Sequence, residues 1–166
     1  MNYFELYNIN NSFDVNKDLI EDRYIELQRS YQPDRASDEQ ERMSFIKILA
    51  DVNNGYKTLK DDYLRAVYLL KLQKIDLSND HDLRNKMPFE ILSDILLKRE
   101  EAEKLRGIEE LELAKTHATS ERNEILRKIG ESLKSGENEG AIIKIMHLKY
   151  QDNLINIIDK KIEECF

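Results

Sequence analysis

The sequence predicts an all-α protein in which an N-terminal helical hairpin with short flanking helices precedes a C-terminal three-helix bundle. Three observations carry that prediction. Only 5 Gly and 2 Pro interrupt 166 residues, too few breakers for a turn-rich β fold. The charged fraction is 36%, with Leu, Ile, Lys and Glu abundant, a composition suited to solvated helix faces. Apolar residues recur at steps of three and four along most of the chain, the period of one helix face.

The opening YFELYNI gathers Tyr3, Phe4, Leu6, Tyr7 and Ile9 into a short aromatic-rich helical turn. NNSFDVN follows as a loop with capping residues. From Lys17, the residues Ile20, Tyr24, Leu27 and Tyr31 share one face of a helix, which the Gln32-Pro33 bond ends at Gln32. A second run carries Phe45 or Ile46, Leu49, Val52, Tyr56 and Leu59, and its stripe pairs antiparallel with the first across the corner QPDRASDEQ. Gly55 interrupts that run at a cost of about 1 kcal/mol relative to alanine, so close packing or local bending is expected there. Asp61 and Asp62 suit the N-terminus of a further short helix bearing Leu64, Val67, Tyr68 and Leu70.

The stretch QKIDLSNDHDLRNKM then loses periodicity and collects Asn, Asp and Ser. The expected division is therefore 1–72, a linker over 73–87, and a bundle over 88–166. Pro88 opens the first bundle helix, which runs through FEILSDILLKREEAEKL to Gly107. A second follows a roughly heptad path through Leu111, Ala114, Ala118, Ile125, Ile129 and Leu133 and stops at SGENEG. The third carries Ile143, Met146, Tyr150, Leu154, Ile157 or Ile158, and Ile162. Short connections make the three an antiparallel bundle.

The helix after Pro88 has two apolar sides. At about 100° per residue, Ile91, Ile95, Ala102 and Leu105 cluster on one, and Phe89, Leu92 and Leu96 on the other. One stripe faces the bundle, and the second requires either the rest of this chain or a docked protein. Buried by a partner, Leu92 and Leu96 would each contribute roughly 1.5–3 kcal/mol before ordering costs.

Several function classes are excluded or disfavoured. A net charge of -7 and a pI near 5.1 give no basic face for nucleic acid. No apolar run approaches the roughly 20 residues that span a bilayer, and MNYFELYNIN lacks the basic and apolar regions of a signal peptide. The single cysteine, Cys165, excludes an intrachain disulfide and fits a cytoplasmic setting. The carboxylate pairs Glu109-Glu110 and Asp61-Asp62 read as solvated helix faces. His81, His117 and His147 stand without a nucleophile or metal-ligand spacing. No enzyme, metal or cofactor is expected.

Taken as a set, YFELYNI, RYIELQRSYQPDR and ADVNNGYKTLKDDYLRAVYLL resemble a J-domain. LRAVYLL after the third helical run, and PFEILSDILLKREEAE ahead of a bundle, narrow the resemblance to the HscB family of J-type co-chaperones in iron-sulfur cluster assembly. It covers nearly the whole chain. The resemblance implies that the hairpin contacts an Hsp70-type ATPase and promotes ATP hydrolysis, while the bundle brings the cluster scaffold protein. By the same resemblance Gln32, Pro33 and Asp34 form the signature loop, and Arg23, Arg29 and Arg35 supply positive charge near it. Leu92, Leu96, Glu100 and Tyr150 match the scaffold-docking residues.

Three departures distinguish this chain from the family's pattern. Gln32 stands where the signature has histidine, so the loop lacks a ring and a titratable nitrogen. Asp18, Glu21, Asp22 and Glu26 thin the basic face of the helix before the loop, and Ser93 and Leu97 replace a larger apolar and an acidic residue. Two readings stand side by side: an active co-chaperone, and a helical adaptor that binds the scaffold while stimulating an Hsp70 weakly or not at all.

Overall fold

The structure, a computed structural model, describes residues 1–78 and 83–166. His81 lies outside the described residues. All regular structure among them is helical, in agreement with the all-α prediction. The chain divides into two compact units, Met1–Lys74 and Ile75–Phe166.

In the first unit, α1 (Tyr3–Leu6) is closed by a capping box between Asn2 and Glu5. It drives Phe4 and Tyr7 into the core, both 0% exposed, and the Tyr7 hydroxyl donates to the Val52 carbonyl at 2.7 Å. Helix α2 (Lys17–Ser30) starts on Asn16, whose side chain accepts from the Asp18 and Leu19 amides. It ends at Ser30, two residues earlier than the Pro33 rule implies, because Pro33 begins a 3-10 turn, Pro33–Arg35. Helix α3 (Glu39–Lys60) is capped by Asp38.

Cross-helix pairs show that α2 and α3 are antiparallel. Tyr24 stacks on Tyr56 with centroids 4.2 Å apart, and Tyr31 meets Phe45 edge-on at 5.5 Å. Between them, Gln28 and Tyr24 both donate to Asn53 Oδ1, at 2.8 and 3.1 Å. At the far end Glu21 accepts from Tyr56 and from Lys60. Gly55 is explained by close packing: a Cβ there would sit 2.9 Å from Tyr7 Cε2 and 3.3 Å from Tyr3 Cδ1.

Helix α4 (Asp62–Leu72) is capped by Asp61, which accepts from the Leu64 amide at 2.8 Å. Its buried stripe is Ala66, Leu69 and Leu70, while Leu64 is 43% exposed, so the stripe expected on Leu64 is shifted. The reason is Arg65, only 4% exposed. Its guanidinium donates to the Phe13 carbonyl, the Leu59 carbonyl and Asp62 at 2.7, 2.7 and 2.8 Å, and lies 4.9 Å above the Phe13 ring. Asp62 also pairs with Lys17 at 2.9 Å. It is thus a buried anchor, which corrects the reading of Asp61-Asp62 as a solvated face.

In the second unit, the described residues of 75–87 contribute the buried side chains of Leu77, Leu83 and Met87. Pro88 is the N-cap of α5 (Phe89–Lys104), which stops short of Gly107 as Leu105 turns extended. Helix α6 (Ile108–Ser135) closes on Gly136 at φ 75, a left-handed conformation suited to glycine. Helix α7 (Asn138–Glu163) completes the bundle. It runs antiparallel to α6: Arg122 pairs with Asp152 and Lys115 with Asp159, both at 2.6 Å. The core holds Leu111, Ala118, Ile125 and Ile129 of α6 against Ile145, Met146, Leu154 and Ile158 of α7. Ile143 is only half-buried, because α7 buries a broad face rather than one narrow stripe.

Candidate functional site

The corner between α2 and α3 is built from backbone turns. The Arg35 amide donates to the Gln32 carbonyl at 3.0 Å and the Ala36 amide to that of Pro33 at 3.3 Å. Proline fixes φ at the first turn position and lacks the amide that would go unused there. At the exit, the Ser37 amide and hydroxyl donate to Glu41 at 2.7 and 2.6 Å, and those hydrogen bonds hold the Glu41 carboxyl below its ordinary pKa. Thus both ends of the corner are fixed while its middle faces solvent.

Gln32, Asp34 and Arg35 are exposed, and Pro33 is half-buried. The Asp34 carboxylate makes no hydrogen bond or ion pair among the described residues. Arg35 donates through Nη1 to the Arg29 main-chain carbonyl at 3.3 Å, which ties the turn back to the last turn of α2. Arg23 stands apart. Six residues before Arg29, it is about 9 Å along the axis and roughly 120° round the helix, and its guanidinium is held by Glu26 at 2.7 Å.

On the bundle, the two expected sides of α5 separate only in part. Ala102 is buried and Ile91, Ile95 and Leu105 are half-buried, whereas Phe89 is 77% and Leu96 59% exposed. Leu92 is half-buried, Glu100 exposed, and Tyr150 half-buried on α7. Helix α5 runs parallel to α7, since Lys161 Nζ donates to the Glu103 carbonyl at 2.7 Å while His147 senses Lys98 and Asp94. Tyr150 lies one turn beyond His147 on α7.

Two residues of weight escaped the sequence reading. Arg65 lies inside LRAVYLL, and the signal for it was a lone cation among Leu64, Ala66 and Leu69. Lys98 is the second. Its ammonium bridges Asp94 at 2.7 Å and Glu121 at 2.9 Å, and Glu121 also accepts from the buried Gln151 amide at 3.2 Å. Burial alone would lower the Lys98 pKa, but the bonds to Asp94 and Glu121 outweigh it and leave it raised. The Asp94–Lys98 pair stands at i,i+4 spacing on one helix, but no spacing rule marks its extension to Glu121 and Gln151, which lie on the other two helices. Among the described residues, no cluster of His, Cys, Asp and Glu could hold a metal, and no helix is long and apolar enough to cross a membrane.

No family model matches the chain. Among curated proteins, a co-chaperone protein HscB homologue of Shewanella oneidensis is 35% identical over 176 residues, covering 96% of this chain and 98% of its own. Another from Shewanella sp. (strain ANA-3) is 34% identical, with 93% and 92% covered. Among solved structures, the chaperone HscB of Vibrio cholerae superposes with a TM-score of 0.87 at 26% identity, covering all of both chains. Human co-chaperone protein HscB gives 0.88 at 25% identity, over 97% of this chain and 82% of that one. With that likeness spanning the corner, the Arg65-bearing helix and the two-sided α5 alike, this chain belongs to the HscB family of co-chaperones.

Proposed function

We propose that this co-chaperone delivers an iron-sulfur cluster scaffold protein to a dedicated Hsp70-type chaperone and stimulates its ATPase, supporting maturation of iron-sulfur proteins in the cytoplasm. It is an adaptor rather than an enzyme. The J-domain over 1–72 meets the Hsp70, and the bundle over 88–166 holds the scaffold, with 73–87 between them.

The single observation that carries this reading is Asp34: an exposed carboxylate, free of internal partners, at a corner whose two ends are pinned. Such a group keeps its charge for a cation on a partner, and charge-assisted hydrogen bonds are about twice as strong as neutral ones. Gln32 and Pro33 shape the contact, with Arg29 and Arg35 adjoining it and Arg23 further up α2. The exposed side of α5, with Leu92, Leu96 and Glu100, offers the scaffold an apolar ridge bounded by an acid, and Tyr150 adds an aromatic from α7.

Single-turnover ATP hydrolysis by the cognate Hsp70 tests the first contact. Asp34→Asn is expected to cut stimulation by about tenfold or more, a loss of roughly 1.4 kcal/mol; unchanged stimulation refutes the loop assignment. For the second contact, calorimetry with Leu92→Ala/Leu96→Ala is expected to weaken scaffold binding by roughly 2–4 kcal/mol. Unchanged affinity removes it.

A second reading rests on Gln32, whose side chain makes no capping hydrogen bond and has no ring. Under it the protein is an adaptor, scaffold binding persists, and Hsp70 turnover stays basal until Gln32→His restores it.

A further inference from the structure

Beside the Lys98–Glu121 bridge, α5, α6 and α7 line an open groove of about 430 Å³. Leu154 and Ile158 of α7 form its floor, and Ala102, Ala114 and Ala118 its walls. The volume falls within the roughly 300–1,000 Å³ of specific ligand sites. Leu113, on the lip, is 58% exposed. The buried core of the bundle is thus reachable from solvent here.

The rim is acidic. Glu101, Glu110 and Glu121 stand against Lys98 and His117, and Lys98 is already matched by Asp94 and Glu121. Glu101 and Glu110 make no ion pair among the described residues. An apolar floor between unmatched carboxylates selects an occupant with apolar side chains on one face and cations beside them. The groove's long wall, from Glu110 to Glu121 on α6, is about 16 Å at the helical rise, room for three helical turns. Alanine walls allow a helix to approach closely.

We propose that the α5–α6 groove is a docking site for a basic amphipathic helix of a partner protein, separate from the Leu92–Leu96 ridge. Measured from Ala102 at about 100° per residue, Leu92 and Leu96 lie roughly 80–120° round one flank of α5, and Glu101 about 100° round the other. One α5 can therefore serve both surfaces at once. A second copy of this chain is disfavoured as occupant, because a net charge of -7 opposes an acidic rim.

Fluorescence anisotropy tests the assignment with a labelled peptide of roughly 14 residues, leucines at helical spacing and lysine or arginine beside them. Its control carries glutamate in place of each cation. The basic peptide is expected to saturate the full-length protein and to weaken as salt rises, whereas the acidic one does not bind. Ala114→Leu, which fills the groove, is expected to weaken binding about tenfold or more, and Glu101→Lys/Glu110→Lys about fivefold at low salt. Leu92→Ala/Leu96→Ala is expected to leave it unchanged, which separates this site from the scaffold ridge. Equal binding of both peptides, no binding of either, or unaltered binding to folded Ala114→Leu and to the charge-reversed variant overturns the proposal. So does a concentration-dependent dimer that Ala114→Leu abolishes, which would assign the groove to a second copy.

Discussion

Replacing Arg65 with methionine tests what holds the first unit together. The native guanidinium makes three buried hydrogen bonds, two to carbonyls and one to Asp62. Methionine keeps much of the stem's volume and removes all three. The carbonyls of Phe13 and Leu59 lose this donor, and Asp62, 8% exposed, retains Lys17 at 2.9 Å. Breaking a buried pair from one side costs about 3–5 kcal/mol, and Lys17 limits the loss to the lower part of that range. A unit this small has a total stability of roughly 5–10 kcal/mol, so the change removes a large fraction of it. With m near ~1 kcal/mol/M in urea, the midpoint is expected to fall by about 3 M. Tyrosine emission is the assay, because Tyr150 is the only one of the 8 tyrosines outside Met1–Lys74 and the chain has no tryptophan to mask them. A loss under about 1 kcal/mol, or one confined to far-UV helicity with the tyrosine transition unmoved, refutes the assigned role.

Gly55→Ala gains about 1 kcal/mol of helix propensity but forces a Cβ 2.9 Å from the Tyr7 ring. Overpacking costs about 1–3 kcal/mol, so urea titration is expected to show net destabilisation near ~1 kcal/mol, and a stabilised variant contradicts the packing argument. Burial, followed by the charge of Lys98, pushes the His147 imidazole below its ordinary value; Asp94 and Glu121 pull the other way and Lys128 adds to the push. The unfolded chain then binds the proton more tightly, so this stability is full above about pH 6.5 and is lost as pH falls through that value toward the folded one. Thermal melts of the bundle should drop between neutral and mildly acid pH, and His147→Gln should flatten the profile; an unchanged slope contradicts it. Asp34→Asn, altering an exposed group without internal partners, is expected to move the urea midpoint by no more than ~0.5 kcal/mol, so that any ATPase loss reflects the contact itself.

Helix order and the hairpin corner were legible because local signals agree with the tertiary result: Asn16 and Asp61 cap helices a turn before their apolar stripes begin, whereas Asp38 starts α3 well ahead of Phe45. The two sides of α5 were legible in part: Ala102 is buried and Phe89 and Leu96 are exposed, but Leu92 is half-buried like Ile91 and Ile95, and Leu97, assigned to neither side, is 60% exposed. Arg65, Lys98 and Asp62 were not. A charge inside an apolar stripe becomes a staple only when carbonyls from distant segments converge on it, and Phe13 lies 52 residues from Arg65. The α2 end also escaped, because a proline reports where a helix must have stopped and a 3-10 turn can use up the intervening residues. For the loop, sequence named the residues. Only the structure tied the Arg35 guanidinium to the Arg29 main-chain carbonyl and paired Arg23 with Glu26.

The glutamine heading the 3-10 turn has a consequence for acid stress. A histidine there would gain a proton somewhere between pH 5 and 8, changing the local field next to Asp34 as the medium sours. An amide exchanges no proton over that interval, so position 32 adds no charge of its own to the bend across that range.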